Sequence, residues 1–364
     1  MAFLKFGNIR IAGISACVPK KIERNDELTS LIAIEEIDKT IKSIGIKEKR
    51  IADVNTCASD LCFAAALRLL EDLDINRDSI DALIFLTQAP DYPVPATAPI
   101  LQKRLGLPNS TACFDINLGC SGYIYGLATA FLFAGHENIN RVLFLDGETF
   151  SKIVSKKDKV NAPLYGDAGT ATLIEKGDSA EAFFSLFTDG AGQEAIIIKA
   201  GGARHPSSMS TLKETIREDG NIRSEHHLFM DGMDVFNFTI RVVPKNIQEI
   251  LAYAGRKLEE IDYVIFHQAN KFMTDFFAKK LKIPSQKVPY CLDRFGNTSS
   301  ASIPLTVVSE LKDKIKTPTN VIFSGFGAGL SWGSSLLDLA GCLISKLVEY
   351  EPAEIHGSSR SLNE

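Results

Sequence analysis

Apolar positions along the chain follow two periods. Short continuous apolar runs between turn residues mark strands buried on both faces, and i, i+3, i+4 spacing marks helices. Residues 7–18 read as a strand ending in a Pro19 turn. Asn25 is placed to cap a short helix through Asp26, Leu28 and Leu31, and residues 30–44 are amphipathic and helical. Residues 46–50 form a short basic segment, and 57–73 form a strong helix with Thr56 as its cap. A buried strand over 80–86 leads into a loop with Pro90, Pro93, Pro95 and Pro99, then a helix to Leu105 and the turn Gly106-Leu107-Pro108. A short strand follows and ends in Asp115-Ile116-Asn117-Leu118-Gly119-Cys120-Ser121-Gly122, where a helical pattern (Leu127, Ala128, Phe131, Leu132) begins at once. Residues 141–145 are another strand, and Gly166-Asp167-Ala168-Gly169 turns into a further one.

The second half repeats this plan. Ile261-Asp262-Tyr263-Val264-Ile265-Phe266 mirrors 80–85, and Leu281-Lys282-Ile283-Pro284 mirrors 105–108. Asn297 falls where Cys120 falls, ahead of a helix over 302–311, and Val321-Ile322-Phe323 mirrors Val142-Leu143-Phe144. The four offsets lie between roughly 176 and 181 residues, which reads as an internal duplication. Strand–helix alternation makes each half α/β with buried, largely parallel sheets. The halves divide as 1–178 and 179–349, and the polar tail 350–364 is expected to be disordered. Residues 201–232 interrupt the second half. Gly201-Gly202, His205-Pro206 and Ser207-Ser208 mark them as a mobile polar loop region.

Composition narrows the classes. With 364 residues, 45% hydrophobic and 23% charged, the chain can bury a large core. A net charge of −5 offers no footprint for nucleic acid. The longest apolar stretch, 112–135, is broken by Asp115 and Asn117, so no membrane span is expected. No signal peptide is visible, and seven scattered cysteines without a CxxC pair suit a reducing, cytoplasmic compartment. Six histidines show no zinc-ligand spacing, so no metal is expected, and His226-His227 are placed on the surface.

Cys120 is the candidate nucleophile. A cysteine at a strand-to-helix turn meets the orphan N–H groups and positive dipole end of the helix, both of which favour a thiolate. The dipole contributes about 0.3–1 kcal/mol, up to ~2, or roughly one pKa unit, so Cys120 needs further help. His267, in Phe266-His267-Gln268-Ala269-Asn270, sits at a strand's carboxyl end, where α/β ligand sites gather. The polar turn Gly296-Asn297-Thr298-Ser299 lies across the pseudo-dyad from the cysteine turn, so cysteine, histidine and asparagine would meet at one site. Cys57, Cys113 and Cys342 read as core residues. Lys279-Lys280 read as a solvated face, with a carrier-protein docking patch as the alternative.

At these motifs, and at Gly325-Phe326-Gly327-Ala328-Gly329-Leu330-Ser331-Trp332-Gly333, residues 1 to about 340 resemble β-ketoacyl-acyl carrier protein synthase III, of the thiolase-fold condensing enzymes. The resemblance implies a five-layered αβαβα fold and a homodimer. It implies acylation of Cys120, with His267 and Asn297 promoting malonyl decarboxylation through His267 Nε2–H and Asn297 Nδ2–H donors. It places the N–H groups of Cys120 and Ala328 at the oxyanion, Phe326 on the site wall and Asn270 in support of the histidine. Substrates would be acyl-CoA or acyl-carrier thioesters with malonyl-carrier, with acyl carrier protein as partner and no other cofactor.

The family's coenzyme A clamp is largely replaced here. Lys39 stands at the adenine-stacking tryptophan, Ser43 at one arginine and Phe272 at another. Val94 stands where an aromatic residue commonly caps the partner subunit's acyl pocket. These departures, with the 201–232 segment, imply a specialised member taking a longer or bulkier acyl group from a carrier protein. The alternatives are acyl transfer without decarboxylation, a non-catalytic partner subunit, and an aldol condensation resembling HMG-CoA synthase. The presence of Asn297 opposes the first and of Cys120 the second; the third needs a glutamate base that the sequence does not place.

Overall fold

The computed structural model describes residues 2–352. The first half runs β1 (Ala2–Phe6), β2 (Ile9–Pro19), β3 (Ile22–Arg24), α1 (Ile34–Ile44), β4 (Glu48–Arg50), α2 (Ala58–Asp72), β5 (Ala82–Leu86), α3 (Thr97–Leu105), β6 (Ala112–Ile116), α4 (Gly122–Ala134), β7 (Arg141–Glu148) and β8 (Ala168–Lys176). The second runs β9 (Ala182–Thr188), β10 (Ile196–Ile197), α5 (Met209–Leu212), β11 (Thr215–Ile216), β12 (Ile222–Arg223), β13 (Phe229–Met230), α6 (Gly232–Ala254), β14 (Tyr263–Phe266), α7 (Lys271–Leu281), α8 (Leu292–Phe295), α9 (Ser302–Leu311), β15 (Asn320–Gly327), β16 (Ser331–Asp338), β17 (Leu343–Ile344) and β18 (Val348–Tyr350).

Two sheets form the frame, in the orders β17-β2-β8-β7-β5-β6 and β1-β9-β16-β15-β14, with β18 also on β2. The stretch β2-β8-β7-β5 in one matches β9-β16-β15-β14 in the other, strand for strand and direction for direction. Parallel pairing joins β5 to β6 and β7, β14 to β15, and β17 and β18 to β2. The pairs β2–β8, β7–β8, β15–β16, β9–β16 and β1–β9 are antiparallel, so parallel pairing is less extensive than apolar runs alone suggest. The reason is connection length: β15 and β16 are joined by a short turn, which leaves no room for a crossover.

The layers follow from where apolar residues lie on each helix. α4 buries Tyr123, Ile124, Leu127 and Phe131, and α9 buries Ile303, Leu305, Val307 and Leu311, all in one core with residues of both sheets. A helix apolar on most of its surface belongs inside, and these two form the middle layer. α2 and α3 cover the outer face of the first sheet through Leu61, Leu69 and Leu101. α6 and α7 cover that of the second through Phe238, Ile247 and Phe277. The result is α–β–α–β–α. Close approach of layers explains Gly169: a Cβ there would lie 2.3 Å from the Cys62 backbone nitrogen in α2.

Several local expectations change. Asn25 caps nothing: its amide donates to the carbonyls of Ile46 (3.0 Å) and Pro163 (2.9 Å). Cys57, not Thr56, is the cap residue of α2, its N–H held by Asp60 at 2.8 Å, because the Thr56 hydroxyl is drawn to Asp53. The basic segment holds a fully buried Lys49, paired with Glu23 at 2.8 Å and donating to the Ala162 carbonyl at 2.8 Å. The 201–232 region is built rather than loose. Buried Arg223 bridges Asp158 (2.7 Å) and Asp219, His226 meets Thr211, and the His227 ring accepts the Ser224 N–H. The expected tail is docked at its start, since β18 pairs with β2 and Glu351 meets Lys20 at 2.7 Å. Residues 353–364 lie outside the described residues. Among those described, no helix is long and apolar enough to cross a membrane.

Candidate active site

Cys120 lies between β6 and α4, immediately before the α4 cap residue Ser121. It is only 7% exposed. Burial dominates its acidity and pushes the thiol up to about 11, against the pull of the Ser299 hydroxyl at 3.7 Å and with a push from buried Glu148. The thiolate expected from the helix end is therefore overridden: desolvation penalises the charge more than the helix terminus favours it. Cys120 therefore rests as a neutral thiol.

His267 follows the last residue of β14, its N–H donating to the Ser324 carbonyl at 2.8 Å. Its ring is buried edge-to-face against Phe326 at 5.4 Å, and Nδ1 lies 2.8 Å from Ser302 Oγ. Burial lowers its pKa to about 3, so the ring is neutral at physiological pH.

Asn297 is placed by a crossing of two backbones. Gly296 has φ +68°, and a Cβ on it would lie 2.8 Å from the Leu164 carbonyl oxygen. Asn297 N–H donates to that carbonyl (2.8 Å), and Gly166 N–H donates to the Asn297 carbonyl (3.1 Å). Asn297 Oδ1 accepts the Ser299 N–H at 2.9 Å, which orients Nδ2 as the free donor. Among the described residues neither Asn297 Nδ2 nor His267 Nε2 has a hydrogen-bond partner, and neither is among the inaccessible unpaired atoms.

Ser299 joins the three. Its hydroxyl meets Cys120, its N–H meets Asn297, and its carbonyl accepts the Ser302 hydroxyl that contacts His267. It holds φ +54°, a left-handed backbone unfavourable for a serine and typical of functional sites. Neither Ser299 nor Ser302 was assigned a role from sequence, because backbone handedness and hydroxyl partners leave no periodic signal.

The end of β15 closes the site. A Cβ on Gly327 would lie 2.6 Å from Cys120 Cβ, so glycine is needed for the strand to pass. Ser121 and Ser331 hydroxyls meet at 2.6 Å, and Ser331 donates to the Ala328 carbonyl at 2.8 Å. Phe326 is buried on the wall, as expected. Asn270 serves the helix rather than the histidine. Its Oδ1 caps α7 through Met273 N–H (2.9 Å), and no hydrogen bond joins it to His267. Val94 projects from its loop at 84% exposure.

Two buried acids lie behind Cys120. Asp146 accepts the Ser300 hydroxyl at 2.6 Å and is pushed up to about 8 by burial. Glu148 accepts Gln88 N–H (2.9 Å) and the Thr87 hydroxyl (3.3 Å), and burial raises it well above the carboxylate range. Each of its oxygens therefore has a donor. Raised carboxyl pKa values bind protons more tightly in the fold than in the unfolded chain. Stability then falls as pH rises from the unfolded carboxyl range near ~4 toward the folded values, by about 1.4 kcal/mol per pH unit per group. Asp146→Asn keeps an acceptor for Ser300 and removes one titration. Urea denaturation from pH 5 to 8 should show a shallower loss of stability in this variant; an unchanged slope would exclude Asp146 as the source.

The chain is similar to known proteins over nearly its whole length. Residues 114–190 match the family model for 3-oxoacyl-[acyl-carrier-protein] synthase III, and 251–339 match that for its C-terminal part. The chain is 36% identical over 350 residues to a putative 3-oxoacyl-[acyl-carrier-protein] synthase 3 of Campylobacter jejuni, covering 95% of this chain and 98% of that protein. It is 36% identical over 330 residues to a β-ketoacyl-[acyl-carrier-protein] synthase III of Caldanaerobacter subterraneus, covering 90% and 96%. A crystal structure of a 3-oxoacyl-(acyl-carrier protein) synthase from Burkholderia xenovorans superposes with a TM-score of 0.90 at 39% identity, covering 96% of this chain and 99% of that one.

Proposed function

Because the chain belongs to the β-ketoacyl-[acyl-carrier-protein] synthase III family of condensing acyltransferases, we propose that Cys120 takes an acyl group from a thioester and passes it to a carbanion made by decarboxylating a malonyl thioester. The observation that supports this reading is the linkage of Cys120, Asn297 and His267 through Ser299.

In the first half-reaction Cys120 Sγ attacks the thioester carbonyl, and the carrier thiol leaves. Neither the Cys120 nor the Ala328 N–H is spent on a turn or loop hydrogen bond, so both are free for the oxyanion. In the second, malonyl carboxylate departs as CO2 and leaves an enolate. The Asn297 Nδ2–H donates to its oxygen beside the neutral His267 ring, in a buried site where such a bond is strong. The enolate carbon bonds to the acyl carbon, the acyl C–S bond breaks, and Cys120 leaves as a thiolate that takes up one proton from solvent to return to the resting thiol.

The donor is an acyl carrier protein thioester with a chain longer or bulkier than acetyl. Lys39 and Ser43 are exposed on α1, and Phe272 is exposed on α7 against Phe236, so an aromatic and cationic clamp for coenzyme A is replaced. Exposed Val94 would reach a second copy in a homodimer and leave its acyl pocket roomier than an aromatic side chain does. The reaction takes place in the cytoplasm with thioester substrates and no added cofactor. The test is intact-mass spectrometry after incubation with acetyl-CoA and with carrier proteins bearing acyl groups of increasing length. Faster and fuller adduct formation with longer acyl-carriers is expected; strong preference for acetyl-CoA would refute the donor assignment.

A further inference from the structure

Ser121, the cap residue of α4, does not cap its helix. Its backbone is already helical (φ −85°, ψ −7°), and its side chain makes no bond to the first turn. A serine at a helix start ordinarily spends its oxygen on the orphan N–H groups there. This hydroxyl instead meets Ser331 Oγ at 2.6 Å, 210 residues along the chain. Ser331 begins β16 and donates to the Ala328 carbonyl at 2.8 Å. A hydroxyl has one proton, so the proton between the two serines comes from Ser121. The bonds therefore run in one direction, from Ser121 to Ser331 to the Ala328 carbonyl. Both serines are buried, where a lost hydrogen bond is not made up by bulk water.

The bridge ends on the two segments that carry the free N–H groups of the site. Ser121 follows Cys120 directly. Ala328 follows Gly327, which pairs with Ser331 in the β15–β16 ladder. Ladder pairing holds Ala328 from one side, and the Ser331 hydroxyl holds its carbonyl from the other. Its N–H has no partner in the turn. The two backbones run in contact beside the bridge: a Cβ on Gly325 would lie 3.0 Å from Ser121 Cα, and one on Gly119 would lie 3.8 Å from Ala328 Cβ.

We propose that Ser121 and Ser331 are positioning residues that set the spacing of the Cys120 and Ala328 N–H groups, and with it the fit of the oxyanion hole. This rests on the acyl-transfer reading above, in which those two groups hold the oxyanion. The donors come from distant parts of the chain, and each must lie about 2.7–3.1 Å from the oxygen. A directional bond between their segments fixes that spacing more closely than packing does. The same oxyanion forms on acylation of Cys120 and again on condensation. The enolate of decarboxylation is held by Asn297 instead, so the bridge bears on one kind of charge and not the other.

That selectivity is the test. Ser331→Ala leaves the Ala328 carbonyl without its donor. It should slow acylation of Cys120, followed by intact mass, by about 10-fold or more, short of the roughly 10²–10³-fold of losing a donor outright. CO2 release from malonyl-carrier by the same protein should stay near the wild-type rate. Ser121→Ala leaves Ser331 on Ala328 and should have the smaller effect, and the double variant should acylate no more slowly than Ser331→Ala. Acylation of Ser331→Ala at the wild-type rate overturns the proposal. So does a fall in CO2 release that keeps step with acylation, which marks a general loss of structure, and so do single effects that multiply in the double variant. If the wild type releases no CO2, the decarboxylation reading fails, and the acylation rates of the single and double variants still decide the bridge. If the wild type forms no adduct with any donor, the acyl-transfer reading fails and the proposal falls with it; normal acylation by both the wild type and Ser331→Ala ends the proposal alone.

Discussion

Cys120→Ala should fold as the wild type does and take up no acyl group. The thiol makes one weak hydrogen bond, to Ser299, and is the size of a small core residue, so its removal costs little stability. Chemistry loses far more, because the thiol goes and the neighbouring hydroxyl, Ser121, is a weaker nucleophile tied to Ser331. A loss of condensation on the order of 10⁴-fold or greater is expected from removal of a nucleophile. The check is the intact mass after incubation with the preferred acyl-carrier. Cys17, Cys62, Cys291 and Cys342 are buried and lack the Ser299 contact that links Cys120 to Asn297 and His267, so they are poor substitutes. A stoichiometric adduct that persists in Cys120→Ala would locate the acyl group elsewhere and end the proposal.

Asn297→Asp should uncouple the two half-reactions. The aspartate retains an oxygen to accept the Ser299 N–H, so Ser299 keeps its left-handed conformation and its contact with Cys120. What changes is the free end: Nδ2–H, a donor, becomes a second oxygen that repels both enolate and malonyl carboxylate. Loss of one preorganised donor of this kind costs about 10²–10³-fold in rate. CO2 release from malonyl-carrier should fall by at least that factor, while acylation of Cys120 stays within several-fold of wild type. Asn297→Ala, which also abandons the Ser299 N–H, should impair both steps. If Asn297→Asp decarboxylates at the wild-type rate, the enzyme does not use Asn297 for the enolate. If the wild type never releases CO2, the activity is acyl transfer alone.

The strands before Cys120 and His267 and the helix after Asn297 were legible because each is an apolar run, and apolar runs report burial directly. The equal spacing of landmarks in the two halves made the duplication legible, and it reappears as matching strand orders in the two sheets. Caps were less legible. Asn25 and Thr56 are residues that favour helix starts, but Ile46, Pro163 and Asp53 offered them better partners. Residues 201–232 read as loose because their composition is polar, and composition does not reveal that Arg223 would find Asp158 in another segment.

Sequence by itself determined most of the elements, their repetition and the family, and it singled out three side chains that the fold links through Ser299. These depend on local periodicity and on motifs that neighbouring residues spell out. Only the tertiary structure decided how those side chains behave. Burial raised the Cys120 thiol when the local helix end argued for lowering it, and it kept His267 neutral. Ser299 and Ser302 became the connectors because two segments roughly 180 residues apart pack on one another. Desolvation and hydrogen-bond partnership are properties of what surrounds an atom in space, and a residue's neighbours in space come mostly from distant parts of the chain.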